Sequence, residues 1–152
     1  MELNGYAKKL RAERERTGRS PEETAHSLGV SPAAYYDLES FDDELTTALS
    51  IQNVALLFKI LGIEPSTFFG TSPAPEPITI DAFIVSISDY LKTNGVNVRE
   101  FEDRVGWDVE PLLNEPSKLA SYDIDAVKDI SNEIGVDWLS ILEALSSTSE
   151  HR

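Results

Sequence analysis

The stretch from 17 to 39, TGRSPEETAHSLGVSPAAYYDLE, limits the fold more than any other part of this chain. Ser20 can cap a helix with Pro21 at its first position and Glu23 three residues past the cap. That arrangement satisfies backbone donors at both ends of the first turn. Leu28 closes the helix, and Gly29 supplies the left-handed residue that a tight turn needs. Ser31 and Pro32 repeat the cap-and-proline start for a second short helix. Ala25, Leu28, Val30, Tyr35 and Leu38 form the apolar set by which two such helices meet near a right angle. This is the layout of a helix-turn-helix unit.

The rest of the chain can be arranged around it. Leu3, Tyr6, Ala7 and Leu10 recur at helical spacing and predict a first amphipathic helix over 3–16, ended by Gly18. After a polar, acidic link at 41–45, Leu49, Val54, Leu57, Ile60 and Leu61 mark a fourth helix that Gly62 stops. A short fifth helix opens at 63–66 and carries Phe68 and Phe69. Residues 70–77, GTSPAPEP, read as a proline-stiffened connector too poor in apolar residues to pack.

Beyond the connector the pattern begins again. Ile80, Phe83, Ile84, Ile87 and Leu91 give a helical stripe ending at Asn94 and Gly95. Short helices follow over 98–105 and from 109 to about 114, then a longer one over 122–134 and a final one with Leu139, Leu142 and Leu145. Gly18, Leu28, Gly29 and Val30 recur at one offset as Gly95, Val105, Gly106 and Trp107. Gly62, Ile63, Phe68 and Phe69 recur at a shorter offset as Gly135, Val136, Ile141 and Leu142. The offset changes between the third and fourth helices, where loop length is tolerated. An ordered set of this kind argues for two copies of one unit. The domains expected are therefore 1–70, a linker at 71–77, a diverged copy at 78–146 and a polar tail at 147–152.

Charge narrows the partners. The chain carries 27 Asp and Glu against 13 Lys and Arg, a net charge of −14. Such a surface repels phosphate backbones and attracts basic partners. Lys8, Lys9, Arg11, Arg14, Arg16 and Arg19 all lie near the start, whereas residues 20–58 hold seven acids and no Lys or Arg. There is no Cys, and His26 and His151 are the only histidines, so neither a metal site nor a cofactor is expected. No Ser-His-acid set or glycine-rich phosphate loop exists, and the chain does not read as an enzyme. No apolar stretch approaches membrane-spanning length, so a cytoplasmic protein without membrane contact is expected.

The first half resembles the Cro/repressor-type (Xre) helix-turn-helix family. The residues that carry the resemblance are Leu10, Arg14, Gly18, Glu22 to Ala25, LGVS at 28–31, Tyr35, Leu38, Glu39 and LGI at 61–63. It implies an all-α fold built from two tandem five-helix, lambda-repressor-like units, the second one degenerate. It also implies that Arg14 and Glu39 form a structural ion pair joining the first helix to the third.

Members of that family usually carry Gln, Asn, Ser, Arg or Lys at the start of helix two and on the exposed face of helix three. The matching positions here are Pro21, Pro32, Ala33, Ala34, Tyr36 and Asp37. Proline has no N–H to offer a phosphate, and alanine cannot make a bidentate base contact. Only Tyr36 could donate a hydrogen bond. The second copy has Glu110, Pro111, Asn114 and Glu115 there. Arg11, Arg16 and Arg19, with Lys8 and Lys9, form either a phosphate or acidic-partner edge or a solvated face pairing locally with Glu13 and Glu15. Trp107 either plugs the core or anchors a partner, and with Asp42, Asp43 and Glu44 it makes a candidate protein-binding surface. Trp138 is expected in the core.

The resulting expectation is an Xre-type regulatory protein acting mainly by protein–protein contacts, as an antitoxin, immunity protein or anti-repressor does. Its acidic surface would cover a basic partner, either a toxin or a DNA-binding protein. The alternative is a transcriptional regulator reading an operator through the first unit. Homodimerisation is left open.

Overall fold

A computed structural model of the chain describes residues 5–71 and 74–147. Among these residues the protein has eleven α-helices and one 3-10 helix, and no strand. In chain order they are α1 (Tyr6–Thr17), α2 (Pro21–Leu28), α3 (Pro32–Leu38), α4 (Glu44–Thr47), α5 (Ile51–Leu61) and α6 (Pro65–Phe68). There follow α7 (Ile80–Asn94), α8 (Val98–Val105), α9 (Glu110–Asn114), the 3-10 segment Pro116–Ser121, α10 (Ile124–Ile134) and α11 (Leu139–Ser147). None is long and apolar enough to cross a membrane.

The helix ends follow from local chemistry. Ser20 Oγ accepts from Glu23 N at 3.0 Å while Ser20 N donates to the Glu23 carboxylate at 2.9 Å. Asn97 and Glu100 make the same reciprocal pair at the start of α8. Gly29 and Gly106 close α2 and α8 at φ 84° and 80°, where a Cβ would be strained. Both halves of the chain thus punctuate their second helix in the same way.

Three elements differ from what periodicity predicts. The link at 41–45 is partly helical, because Leu45 and Thr46 turn inward as α4. The segment after α9 winds into a 3-10 helix that buries Leu119. The helix expected over 122–134 begins at Ile124, and Asp123 caps it through a 2.8 Å bond from Ala126 N. The tail beyond Ser147 and residues 72 and 73 of the connector lie outside the described residues.

The halves share one core. Leu10, Leu28, Leu57 and Phe58 belong to the same buried cluster as Phe83, Phe101, Leu112 and Leu142. Helix α11 lies against α5 and α6, α10 packs on α4, and the 3-10 segment packs on both α5 and α7. A backbone bond joins the halves directly, Ile51 N donating to Tyr122 O at 2.7 Å, while Ile78 N, just past the connector, donates to Ser140 O of the second half at 3.1 Å. The connector, expected to stand clear of the core, is thus tied to α11 where it ends. Phe69 meets Trp138 edge-on with centroids 5.0 Å apart. Trp138 is only half-buried, with Lys128 Nζ 5.8 Å from its ring centroid.

Candidate functional site

The outward face of α3 is where the sequence places its contact residues. Ser31 caps this helix by accepting from Ala34 N at 3.1 Å, with Pro32 at the first position. Seven residues in helical register then divide sharply. Tyr35 and Leu38 are buried, whereas Pro32, Ala33, Ala34, Tyr36 and Asp37 are exposed. Phe41, just beyond the helix, is 56% exposed and Tyr36 45%. An apolar and acidic surface results, with no cation on the helix itself.

Arg14 and Glu39 hold that face in place. Arg14 Nε donates to Glu39 Oε2 at 2.7 Å and Nη2 to Oε1 at 3.0 Å, the bidentate geometry that favours arginine over lysine. Nη1 also donates to the Arg19 carbonyl at 2.9 Å. The Glu39 hydrogen bond is the main reason that the Arg14 pKa is raised. Tyr35 lies beside the pair with its hydroxyl buried, and burial first, then Glu39, pushes that hydroxyl far above the usual tyrosine range.

Tyr36, the one potential side-chain donor on the outward face of α3, is already engaged. Its hydroxyl donates to the Glu22 carboxylate in the first turn of α2. That bond is the leading cause of a lowered pKa at Glu22 and a raised one at Tyr36. Both groups are exposed, so the contact orients the two side chains without adding appreciably to stability. Glu22 opens the run to Ala25 that carries the family resemblance, but nothing in the sequence pairs it with Tyr36. It lies across the turn from Tyr36, and no helical spacing links the two.

The basic edge is only partly free. Arg16 donates twice to Glu13 Oε1, at 3.0 and 2.8 Å, and also to the Leu61 carbonyl at 3.1 Å. Arg11 lies 3.8 Å from Glu39 Oε1, not against Glu15. Lys9, expected to pair with Glu13, donates to the Phe68 carbonyl at 2.8 Å. Arg19 lines an open recess with Glu22, Glu23, His26 and Ser27.

The second group of candidates separates into different roles. Asp42 accepts from Gly5 N at 3.2 Å and from Ala7 N at 3.0 Å, so its carboxylate caps α1 and is not free for a partner. Asp43 is exposed, and Glu44 starts α4 half-buried. Trp107 belongs to the other half of the chain, in the turn after α8. It packs against the core and donates Nε1–H to Asp129 Oδ2 at 2.9 Å. The indole also walls a cleft of about 310 Å³ with Asp108, Ser121, Tyr122, Asp123 and Ala126. Asp108, Tyr122 and Phe41 carry no contact signal in the sequence, Tyr122 reading only as the start of the helix over 122–134 and the other two as link residues without period.

No protein-family model, no curated protein and no solved structure matches this chain.

Proposed function

We propose that this chain is an Xre-type helix-turn-helix regulatory protein whose main contacts are with protein, its acidic surface covering a basic partner. The single observation that carries the reading is the Tyr36–Glu22 hydrogen bond on the outward face of α3. It couples the only potential base donor of that helix to a carboxylate at the start of α2, where a DNA-reading member would present donors to a phosphate. Ala33, Ala34 and Asp37 supply no alternative donor, and the net charge of −14 opposes phosphate at longer range.

The tandem arrangement is part of the same proposal. Its support is the shared order of elements, the matching caps at Ser20 and Asn97, and matching helix stops at Gly18 and Gly95, Gly29 and Gly106, and Gly62 and Gly135. The Arg14–Glu39 pair supports the repressor-like reading of the first unit. The second unit has no matching pair, since proline occupies the place of Glu39.

A mobility-shift titration with random duplex DNA at low salt tests the proposal. No shift is expected at micromolar protein. A salt-sensitive shift that Arg11→Glu, Arg16→Glu and Arg19→Glu together abolish would overturn it in favour of operator reading through the first unit.

A further inference from the structure

We propose that the cleft between Trp107 and Tyr122 receives the guanidinium or ammonium group of a basic side chain on a protein partner. This deepens the protein-binding reading above and rests on it. The cleft is built rather than incidental. Trp107 is oriented by its bond to Asp129, and the Tyr122 hydroxyl donates to the Asp108 carbonyl at 2.7 Å. Two aromatic walls are therefore fixed before any ligand arrives, which lowers the ordering cost of binding. Ala126 of α10 leaves the space between them unfilled.

The lining selects charge as well as shape. Asp108 and Asp123 line the cleft and no Lys or Arg does. Asp125 and Asp129 act on Asp123 in the same sense as its burial, all three raising its carboxyl above the ordinary range. The Ala126 N–H bond offsets part of this charge, but no cationic side chain lines the cleft, and a bound cation would relieve the rest. Trp138 makes the contrast, because its ring already has Lys128 over it, whereas the cation–ring contacts of the described residues leave Trp107 without one. Aromatic faces rimmed by carboxylates suit a desolvated organic cation, and indole is the best of the rings for this. They do not suit a bare metal ion, which seeks several oxygen ligands at short range.

The test uses the full chain carrying Trp138→Phe, so that tryptophan emission reports Trp107 alone. The probe is a capped peptide of alternating arginine and glycine, and the control replaces each arginine by its uncharged isostere citrulline. A saturable emission change is expected with the arginine peptide, at least tenfold weaker with citrulline. Asp108→Asn with Asp123→Asn should weaken it at least tenfold while the melting temperature does not fall, since asparagine retains the cap of α10. Asp81→Asn with Asp89→Asn, on exposed parts of α7, should leave affinity within twofold.

Equal binding of the citrulline peptide would overturn the proposal, as would unchanged affinity in the Asp108/Asp123 variant. So would an equal loss in the Asp81/Asp89 variant, which would make the attraction diffuse. Spermidine saturating the cleft more tightly than the peptide would overturn the assignment to a protein side chain. The DNA titration above is unaffected by any of these results, so failure of the cleft and failure of the protein-binding reading are separable.

Discussion

Ser50 and Asp123 each cap a helix and also meet each other across an antiparallel backbone bridge. Ser50 accepts from Asn53 N at 3.1 Å and Asp123 from Ala126 N at 2.8 Å, so the starts of α5 and α10 are held together where each helix is most in need of partners. With α11 laid along α5, this junction ties the two halves to each other. A single unfolding transition is expected, with far-UV circular dichroism and tryptophan fluorescence coinciding. Leu142→Ala, deep in α11, should lower that one transition by about 2–5 kcal/mol. Two separate transitions would show that the halves unfold independently.

Arg14 and Glu39 make the second prediction. Their side chains are only 10% and 5% exposed, so removing one leaves the other charged and poorly solvated. Glu39→Ala should cost roughly 3–5 kcal/mol in urea denaturation. Replacing both by Arg14→Met with Glu39→Leu should recover most of that loss, because the desolvation penalty disappears with the charges. Additive losses from the two single changes would show that the pair does not lock α1 to α3.

Asp42 and Asp43 adjoin in sequence but should differ in effect. Asp42→Ala removes the acceptor for two backbone donors at the start of α1 and should cost about 1 kcal/mol. Asp43→Ala should stay within about 0.5 kcal/mol of the parent. Thermal melts of the two variants decide the matter. Equal, negligible shifts would return Asp42 to the free surface.

Sequence made some features legible and left others dark for a physical reason. Gly18, Gly29, Gly62, Gly95, Gly106 and Gly135 mark helix ends because each end is closed by neighbours a few residues away. Tyr35 and Leu38 were readable as core from helical register, and Tyr36 as exposed. The contacts between halves were not, since Phe69 with Trp138 or Ile51 with Tyr122 depends on how separate elements dock. Within the candidate site the same division holds. The donor-poor character of α3 is written in Ala33, Ala34 and Asp37, whereas the engagement of Tyr36 by Glu22 appears only when α2 and α3 are set against each other.

Acidity should stabilise one seam of this acidic protein. Glu143 on α11 has its carboxylate drawn inward beside Glu64 at the start of α6, and burial first, then Glu64, raises its pKa against a smaller lowering by the Ser66 backbone. The folded chain therefore keeps a proton that the unfolded chain has released, over a window beginning at the ordinary glutamate value and ending at the raised one. Stability from this group is complete below that window and falls as pH rises through it. Asp123 acts in the same direction. Glu143→Gln should raise the melting temperature at neutral pH and flatten its dependence on pH from mild acid upward. An unchanged slope would place the titration elsewhere.

The proposed exclusion of DNA would have two causes, separable on the face that Glu22 and Tyr36 share. One is local, the lack of donors on α2 and α3; the other is the net charge of the whole chain. Glu22→Gln with Ala34→Arg and Asp37→Lys acts mainly on the local cause, since four units of charge leave the chain strongly acidic, and it does so on exposed positions where stability should change little. If the scaffold still presents α3 as a reading helix, this variant should bind random duplex DNA where the parent does not. Its affinity should fall with salt at a log–log slope of about −2, from roughly 0.9 per phosphate neutralised by each new cation. Fluorescence anisotropy across a salt series measures both quantities. Binding with that slope would locate the exclusion in a few side chains on a retained scaffold. A variant as silent as its parent would assign the exclusion to the acidic surface as a whole.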